Sequence, residues 1–358
     1  MLYGAYGTTG RRILQEAVRR AHRPLLAGRN GEKLAQLARP GDLPWCAVEL
    51  GDRRALTRAL EGIDVVLHAA GPYVITCEPM LEACLDAGVS YLDITGELPV
   101  FQRTLACHER ALHHRVLVCS GVGFEVVPTD CLVAYLARRT GAADGERPVE
   151  IEVAYSALGD ASRGTVKSAL GILRDGSRVL RGGRLVSVPL GRGGRSLELW
   201  QSQRSGRRER MRTWRALPAP LPDLLTAQRT TGTDHVTAYL ALPRRKAWAL
   251  EWLGPALPHA LRSRSIYEHL LRRVEASDLE PRARARASAW ARVQSARGES
   301  REAWLDLPDG YTFTAQSAVR AVEATLSQRP VGALTPALAF GEDFVLEVPT
   351  VRRRDPFA

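Results

Sequence analysis

Met1-Leu-Tyr-Gly-Ala-Tyr-Gly-Thr-Thr-Gly10, followed by Ile13, Leu14, Ala17, Val18 and Ala21, is the stretch from which the fold is read. Leu2 and Tyr3 open a strand, Gly4, Gly7 and Gly10 make a turn, and the apolar residues beyond recur at helical spacing. Such a turn needs glycine because the backbone must bend sharply and approach a pyrophosphate, which the N–H groups of the next helix then bind. Gly4, Tyr6, Gly7, Thr8, Thr9 and Gly10 are therefore candidate cofactor-binding residues. A glycine triplet by itself also suits a packing turn; its place at the head of a βα series carries the nucleotide reading. Only three residues precede Gly4, which leaves open a start further upstream.

Outward from this turn the pattern repeats. Pro24–Gly28, Trp45–Leu50, Asp64–Ala70, Tyr91–Ile94 and Arg115–Ser120 read as strands. Between them Leu34 and Leu37, Arg53–Leu60, Pro79–Ala87 and Val100–His113 read as helices, and another runs from about Thr129 to Thr140. Six βα units in succession predict a parallel, doubly wound α/β sheet with right-handed crossovers. Ligands of such sheets bind beyond the carboxyl ends of the strands. Gly141–Pro148 (GAADGERP) is polar and turn-rich and is the expected domain joint. The predicted domains are 1–145, with 330–358 a candidate to pack back onto it, and 146–330. In the second half Glu150–Ser156, Gly183–Val188 and Tyr311–Thr314 read as strands, and Ser162–Leu173, 245–274 and Ser317–Leu326 as helices, an α+β pattern. Trp248, Trp252, Leu253 and Leu257 form an apolar set, expected in the core or a pocket wall, with a membrane- or dimer-facing patch the other reading.

The loops after the strands hold the candidate chemistry. Ala27-Gly28-Arg29-Asn30 lacks the carboxylate that would bind a ribose 2′-hydroxyl, and Arg29 offers a forked donor suited to a 2′-phosphate, which favours NADP(H). Asn30, also placed to cap the next helix, joins Arg29 as a cofactor-binding candidate, and Asp52 either meets the adenine or caps the helix after it. Ala70, Gly71, Pro72 and Tyr73 are placed near the nicotinamide ribose, and Gly121, Gly123 and Phe124 close the crevice. Tyr73, Glu97 and Asp130 are the candidate catalytic residues, since protonation alongside hydride transfer needs an acid in near contact. Packing accounts equally for Tyr73, and helix capping for Glu97 and Asp130.

Composition narrows the classes. Of 358 residues 45% are apolar and 25% charged, which is globular composition. No run of about 18 apolar residues occurs, so no membrane span is expected, and Met1 leads into no signal-peptide pattern. The six cysteines fall between Cys46 and Cys131 with no zinc-like spacing, so no metal is expected; reduced thiols in a cytoplasmic protein are. Charge is uneven: residues 1–150 carry 17 basic and 18 acidic side chains, residues 151–358 carry 33 and 21. The excess is almost all arginine, with lysine only at 33, 167 and 246. Runs such as Arg204–Arg212 and Arg282–Arg286 suggest a nucleic-acid binder, but lysine is scarce and no recognised module is present, so no nucleic-acid partner is expected.

The residues carry a resemblance. Gly4–Gly10, Ala27–Asn30, Gly71-Pro72-Tyr73, Cys77–Cys84, Tyr91–Glu97, Gly121–Asp130, Ser162–Thr165 and Thr335–Gly341 together resemble the saccharopine dehydrogenase-like oxidoreductases, closest to the branch called trans-acting enoyl reductases. The chain departs from that family at Tyr6-Gly7-Thr8-Thr9, where Thr-Gly-Tyr-Thr is usual. The resemblance implies a Rossmann-type NADP-binding domain and an α+β domain that shapes the substrate pocket. It spans reductases of C=C and C=N bonds and dehydrogenases of amino-acid adducts, so it carries the cofactor further than the substrate. The leading expectation is an NADPH-dependent reductase of a conjugated C=C, on a small or carrier-bound thioester substrate. Imine reduction or saccharopine-type chemistry is the alternative within enzymes, and a non-catalytic NADP-binding sensor or scaffold the alternative outside them. The second domain is also a candidate homodimer face.

Overall fold

The computed structural model describes residues 1–140, 146–156, 176–201, 210–277 and 286–356, with residues 166, 170, 171, 173 and 174. The chain divides into two compact units, Met1–Val127 with Tyr311–Pro349, and Pro128–Gly310 with Thr350–Ala358. The expected joint at Gly141–Pro148 falls in the second, its first five residues outside the described ones, as is the Ser162–Thr165 signature.

The first unit alternates β1 (Leu2–Tyr3), α1 (Thr8–Arg19), β2 (Leu26–Gly28), α2 (Gly31–Ala38), β3 (Trp45–Ala47), α3 (Arg53–Ala59), β4 (Val65–His68), α4 (Tyr73–Ala87), β5 (Ser90–Asp93), α5 (Leu98–Ala106), α6 (His108–His114) and β6 (Leu117–Cys119). All pair in parallel, in the order β3-β2-β1-β4-β5-β6, and Gly332–Ala333 extends the sheet beside β6. The order reverses between β1 and β4, and the loops beyond their carboxyl ends form the crevice where such sheets bind dinucleotides. The inner strands are apolar because helices cover both faces: Val65 to His68 are all buried, and Tyr3, Val66, Cys77, Met80, Cys84 and Tyr91 share one core. Five of the six cysteines are buried and none of the six is in a disulfide.

Three local expectations are corrected. The helix expected from Pro79 begins at Tyr73, because Pro79 lies inside it and the Glu97 carboxylate binds its first amides. Val100–His113 is two helices broken at Cys107. Tyr311–Thr314, expected as a strand, opens the helix Gly310–Gln328, where Phe313 and Thr314 are buried with the rest of its apolar face.

The second unit is built on a mixed nine-stranded sheet. Its path is Arg195–Gln201, Arg210–Pro218, Val236–Leu242, Glu150–Ser156, Ala287–Gln294, Ser300–Leu307 and Arg352–Arg354, with Ser177–Arg181 and Arg184–Val188 pairing off it. Only Val236–Leu242 and Glu150–Ser156 run parallel. Glu152, nearly buried in the centre, is bound by Arg195, by Arg292 at 2.7 Å and by the Tyr239 hydroxyl at 2.9 Å. Three helices follow the strand Val236–Leu242: Arg244–Leu253, Leu257–Leu261 and Arg264–Ala276. Here the core expectation for Trp248, Trp252 and Leu253 fails, since they are 63%, 72% and 62% exposed; Ala247 is the residue of that helix that packs inward.

Candidate active site

The turn after β1 is shaped by missing side chains. Gly4 sits at φ +85°, and a Cβ there would come within 2.8 Å of the Ala69 carbonyl carbon and of Ala70. A Cβ on Gly10 would overlap the Gly4 carbonyl oxygen, so α1 closes onto the turn only with glycine there. Gly7 differs: its backbone is extended (φ −68°, ψ 165°), and a Cβ would meet the Gly4 oxygen at 3.3 Å and the Ala69 oxygen at an ordinary 3.9 Å. As N-cap of α1 it brings no capping side chain, so the amides of Thr8, Thr9 and Gly10 stand at the positive end of the helix.

At the end of β2, Gly28 lets the Tyr6 ring lie on the backbone, where a Cβ would fall 2.8 Å from Tyr6 Cε1. Arg29 is exposed beside it, and Lys33 Nζ stands 5.8 Å from the centre of the Tyr6 ring. Two cations and an aromatic ring thus flank the place where an adenosine 2′-phosphate belongs in this fold. Asn30 caps α2, its Oδ1 accepting from Lys33 N at 2.9 Å, and Asp52 caps α3, accepting from Ala55 N at 3.0 Å. The open choice for Asp52 falls to capping.

Beyond β4, β5 and β6 the site consists of titratable side chains. His68 ends β4, buried; its Nε2–H donates to Ala70 O at 3.1 Å, leaving Nδ1 to accept from the Tyr91 hydroxyl at 3.4 Å. Burial lowers its pKa to about 4, so the ring is neutral. Asp93 is buried at the end of β5, its carboxylate accepting from Gly121 N (2.9 Å), Thr95 N (3.0 Å) and Ser120 Oγ (2.8 Å); burial raises its pKa and these bonds oppose the rise. Glu97 accepts from Tyr73 N at 3.2 Å and Val74 N at 2.8 Å, capping α4 from across the loop.

Glu125 completes this group. Its carboxyl lies against Gly96, where a Cβ would overlap Oε2. Burial, with the Glu97 carboxylate as second cause, pushes its pKa up to about 7. Tyr73, its ring 5.5 Å from that of His68, is pushed well above the ordinary tyrosine value, by burial first and then by Asp93, Glu97 and Glu125. At neutral pH the group thus holds a neutral phenol, a neutral imidazole and a carboxyl half in its acid form.

Residues 1–117 match the family model described as the saccharopine dehydrogenase NADP binding domain. The saccharopine dehydrogenase-like oxidoreductase of Homo sapiens is 31% identical over 156 residues, 38% of this chain and 36% of that protein. The trans-acting enoyl reductase of Mycobacterium ulcerans is 32% identical over 155 residues, 40% of this chain and 36% of that protein. The matched stretch thus spans about a third of the length of these curated relatives. Apo saccharopine dehydrogenase (L-Glu forming) from Saccharomyces cerevisiae superposes on 99% of this chain and 98% of its own, with a TM-score of 0.66 at 11% identity, which shows a shared fold.

Within the first unit the structure brings together Tyr73, Glu97, Ala70, Gly71 and Pro72 of the expected residues. Gly121 (φ +73°) and Gly123 are packed tightly, against Phe101 and Val126 and against Thr314, and Phe124 is buried edge-on to Phe313. Asp130 lies in the second unit, buried, its Oδ1 accepting from Thr230 Oγ1 at 2.6 Å. Sequence reasoning passed over His68, Tyr91 and Lys33. A histidine inside the apolar run DVVLHAA, at the carboxyl end of a central strand, was the available signal for the first.

Proposed function

We propose that the protein is an NADPH-dependent reductase in which Glu125 supplies the proton and Tyr73 and neutral His68 line the same crevice. The observation that carries this is the Glu125 carboxyl seated on Gly96 with a pKa of about 7, close to the pH at which it would work. Arg29 and Lys33 take the 2′-phosphate, and the first-turn amides of α1 take the pyrophosphate. When bound, NADPH supplies the hydride. The substrate is a C=C conjugated to a carbonyl: one carbon receives the hydride, the other receives the Glu125 proton, and the carboxylate recovers a proton from solvent. Tyr73, with its raised pKa, keeps its proton and donates a hydrogen bond to the carbonyl oxygen. Glu97 holds the Tyr73 turn in place and keeps Glu125 in its acid form. Asp130, bonded to Thr230, is a helix-terminal structural group in this reading.

Val74 and Ile75, 46% and 69% exposed in the first turn of α4, give the site an apolar edge that suits an acyl chain. The arginine excess of residues 151–358 suits an anionic thioester or an acidic carrier. Buried thiols outside any disulfide suit a cytoplasmic location. Among the described residues no helix is long and apolar enough to cross a membrane.

The test follows NADPH absorbance with enoyl thioesters and with cyclic imines. Oxidation with an enoyl thioester, lost by about a hundredfold or more in Glu125→Gln with NADPH affinity unchanged, is the expected result. Turnover of imines alone would move the reading to C=N reduction, where the same acid would charge the nitrogen. Tight NADPH binding with no turnover of either would leave a sensor or scaffold.

A further inference from the structure

The helix Arg244–Leu253 presents an unusual face to solvent. At about 100° per residue, Trp248 and Trp252 fall between Arg244 and Arg245 on one side of the helix, with Leu253 and Lys246 next along. All six are exposed. The two indoles are neighbours, their ring centroids 6.0 Å apart. The single acidic residue of the helix, Glu251, lies next to Arg244 at the edge of this side, half-buried and paired with Arg215 at 2.7 Å. The exposed side is therefore aromatic and cationic, and the one carboxylate at its edge is already neutralised by Arg215.

The helices that follow extend the character. Arg264–Ala276 contains no buried residue and exposes Ile266. Across 244–276 the sequence places seven Lys and Arg residues against three Glu, of which Glu251 and Glu268 are paired to Arg215 and Arg264.

We propose that the helix Arg244–Leu253 docks the protein on an anionic bilayer surface, with Trp248, Trp252 and Leu253 in the headgroup layer and Arg244, Arg245 and Lys246 on the lipid phosphates. Indole is the side chain best suited to that layer, since its ring is apolar and its N–H still finds a hydrogen-bond acceptor there. The helix has 10 residues, about 15 Å of rise against a hydrocarbon core of about 30 Å, so it lies in the interface and does not span. A second copy meeting this face symmetrically would set Arg244, Arg245 and Lys246 against their own counterparts, which opposes self-association through it. An anionic lipid surface takes both the cations and the rings. The inference does not depend on the reaction proposed above.

The test is co-sedimentation of the full chain with phosphatidylcholine vesicles, with and without phosphatidylglycerol. Binding is expected only with phosphatidylglycerol, weakening as salt is raised. Trp248→Ala/Trp252→Ala should lower the partition coefficient at least about tenfold. Arg244→Gln/Arg245→Gln/Lys246→Gln should lower it on the order of a hundredfold. Both variants should keep the wild-type melting temperature and NADPH affinity, because the altered side chains are exposed. The proposal is overturned by absence of binding to phosphatidylglycerol vesicles at low salt, or by binding that survives the double tryptophan change. It is overturned equally if sedimentation equilibrium shows a dimer, or a complex with an acidic protein, that the tryptophan variant loses.

Discussion

The turn between β1 and α1 and the cluster beyond β4, β5 and β6 belong to one crevice and are made in opposite ways. The turn is built by omission: Gly4, Gly10 and Gly28 stand where a Cβ would strike backbone or the Tyr6 ring. The cluster is built by insertion, with His68, Tyr73, Tyr91, Asp93 and Glu125 held where burial opposes their charged forms. The difference teaches where pH can act. Backbone amides do not titrate, so the cofactor end should be indifferent to pH over the range in which the chemical end changes state.

The sharpest way to break the comparison is to fill the omissions. Gly10→Ala puts a methyl into the Gly4 carbonyl oxygen, and α1 has to move. A loss of about 3 kcal/mol in stability is expected, at the upper end for overpacking, with NADPH binding lost alongside. Gly7→Ala meets nothing tighter than the 3.3 Å contact and should fold within about 1 kcal/mol of wild type. Gly7→Val should fold too, yet lose NADPH, because its side chain points where the pyrophosphate lies. Urea melts paired with NADPH fluorescence titrations check both; a Gly7→Val protein that binds normally would make the turn purely structural.

Glu125→Gln tests the other end. With a folded pKa near 7 and an ordinary value of 4.5, wild type holds a proton that the unfolded chain has already released. Its contribution to stability is full below pH 4.5 and is lost as pH rises through 7, by up to about 3 kcal/mol. Glutamine does not titrate, so the variant should match wild type at pH 4 and exceed it at pH 8. His68 acts with the opposite sign: neutral in the fold down to about pH 4, it costs stability as pH falls below 6.5. Thermal melts across pH 4 to 8 read both. Identical pH profiles for wild type and Glu125→Gln would remove Glu125 from the acid's role.

Arg29→Asp comes next in size. Replacing an exposed forked donor with a carboxylate should weaken NADPH by about 2–3 kcal/mol and leave NADH nearly unchanged. Lys33→Gln should add a smaller loss of the same kind. Equal affinity of wild type for NADPH and NADH would show that neither cation meets a 2′-phosphate.

What could be read beforehand follows the same division. The parallel sheet was legible because buried strands such as Asp64–Ala70 and the glycine turn are written in residue types, and Asn30 as a cap is a local rule that held at 2.9 Å. The cluster was only half legible. Tyr73 and Glu97 lie in conspicuous loops, but His68 is hidden inside an apolar run, and the raised pKa of Glu125 depends on Gly96 and Glu97 folding against it. Tyr311–Thr314 was misread because β-branched and aromatic residues favour a strand locally, while packing of Phe313 against Phe124 and the Thr314 bond to Phe124 N fix them in a helix. The exposure of Trp248 and Trp252 was only the second reading of the sequence, since apolar residues at helical spacing ordinarily mark a buried face.

The smallest expected effect separates two roles of Glu97. As the cap of α4 it binds two amides, and Glu97→Gln keeps one acceptor while removing the charge that favours the helix N-terminus. A loss of about 1 kcal/mol follows, or roughly 2–4 °C in melting temperature for a unit of this size. The same charge is the second cause of the raised Glu125 pKa. Its removal should therefore move the alkaline fall in kcat to lower pH while leaving the plateau at acid pH near the wild-type value. A group that itself delivered the proton would take the plateau down with it. The pH–rate profile of Glu97→Gln thus decides between positioning and catalysis: a displaced curve of unchanged height is expected, and a collapsed plateau would give the proton to Glu97 and return Glu125 to packing.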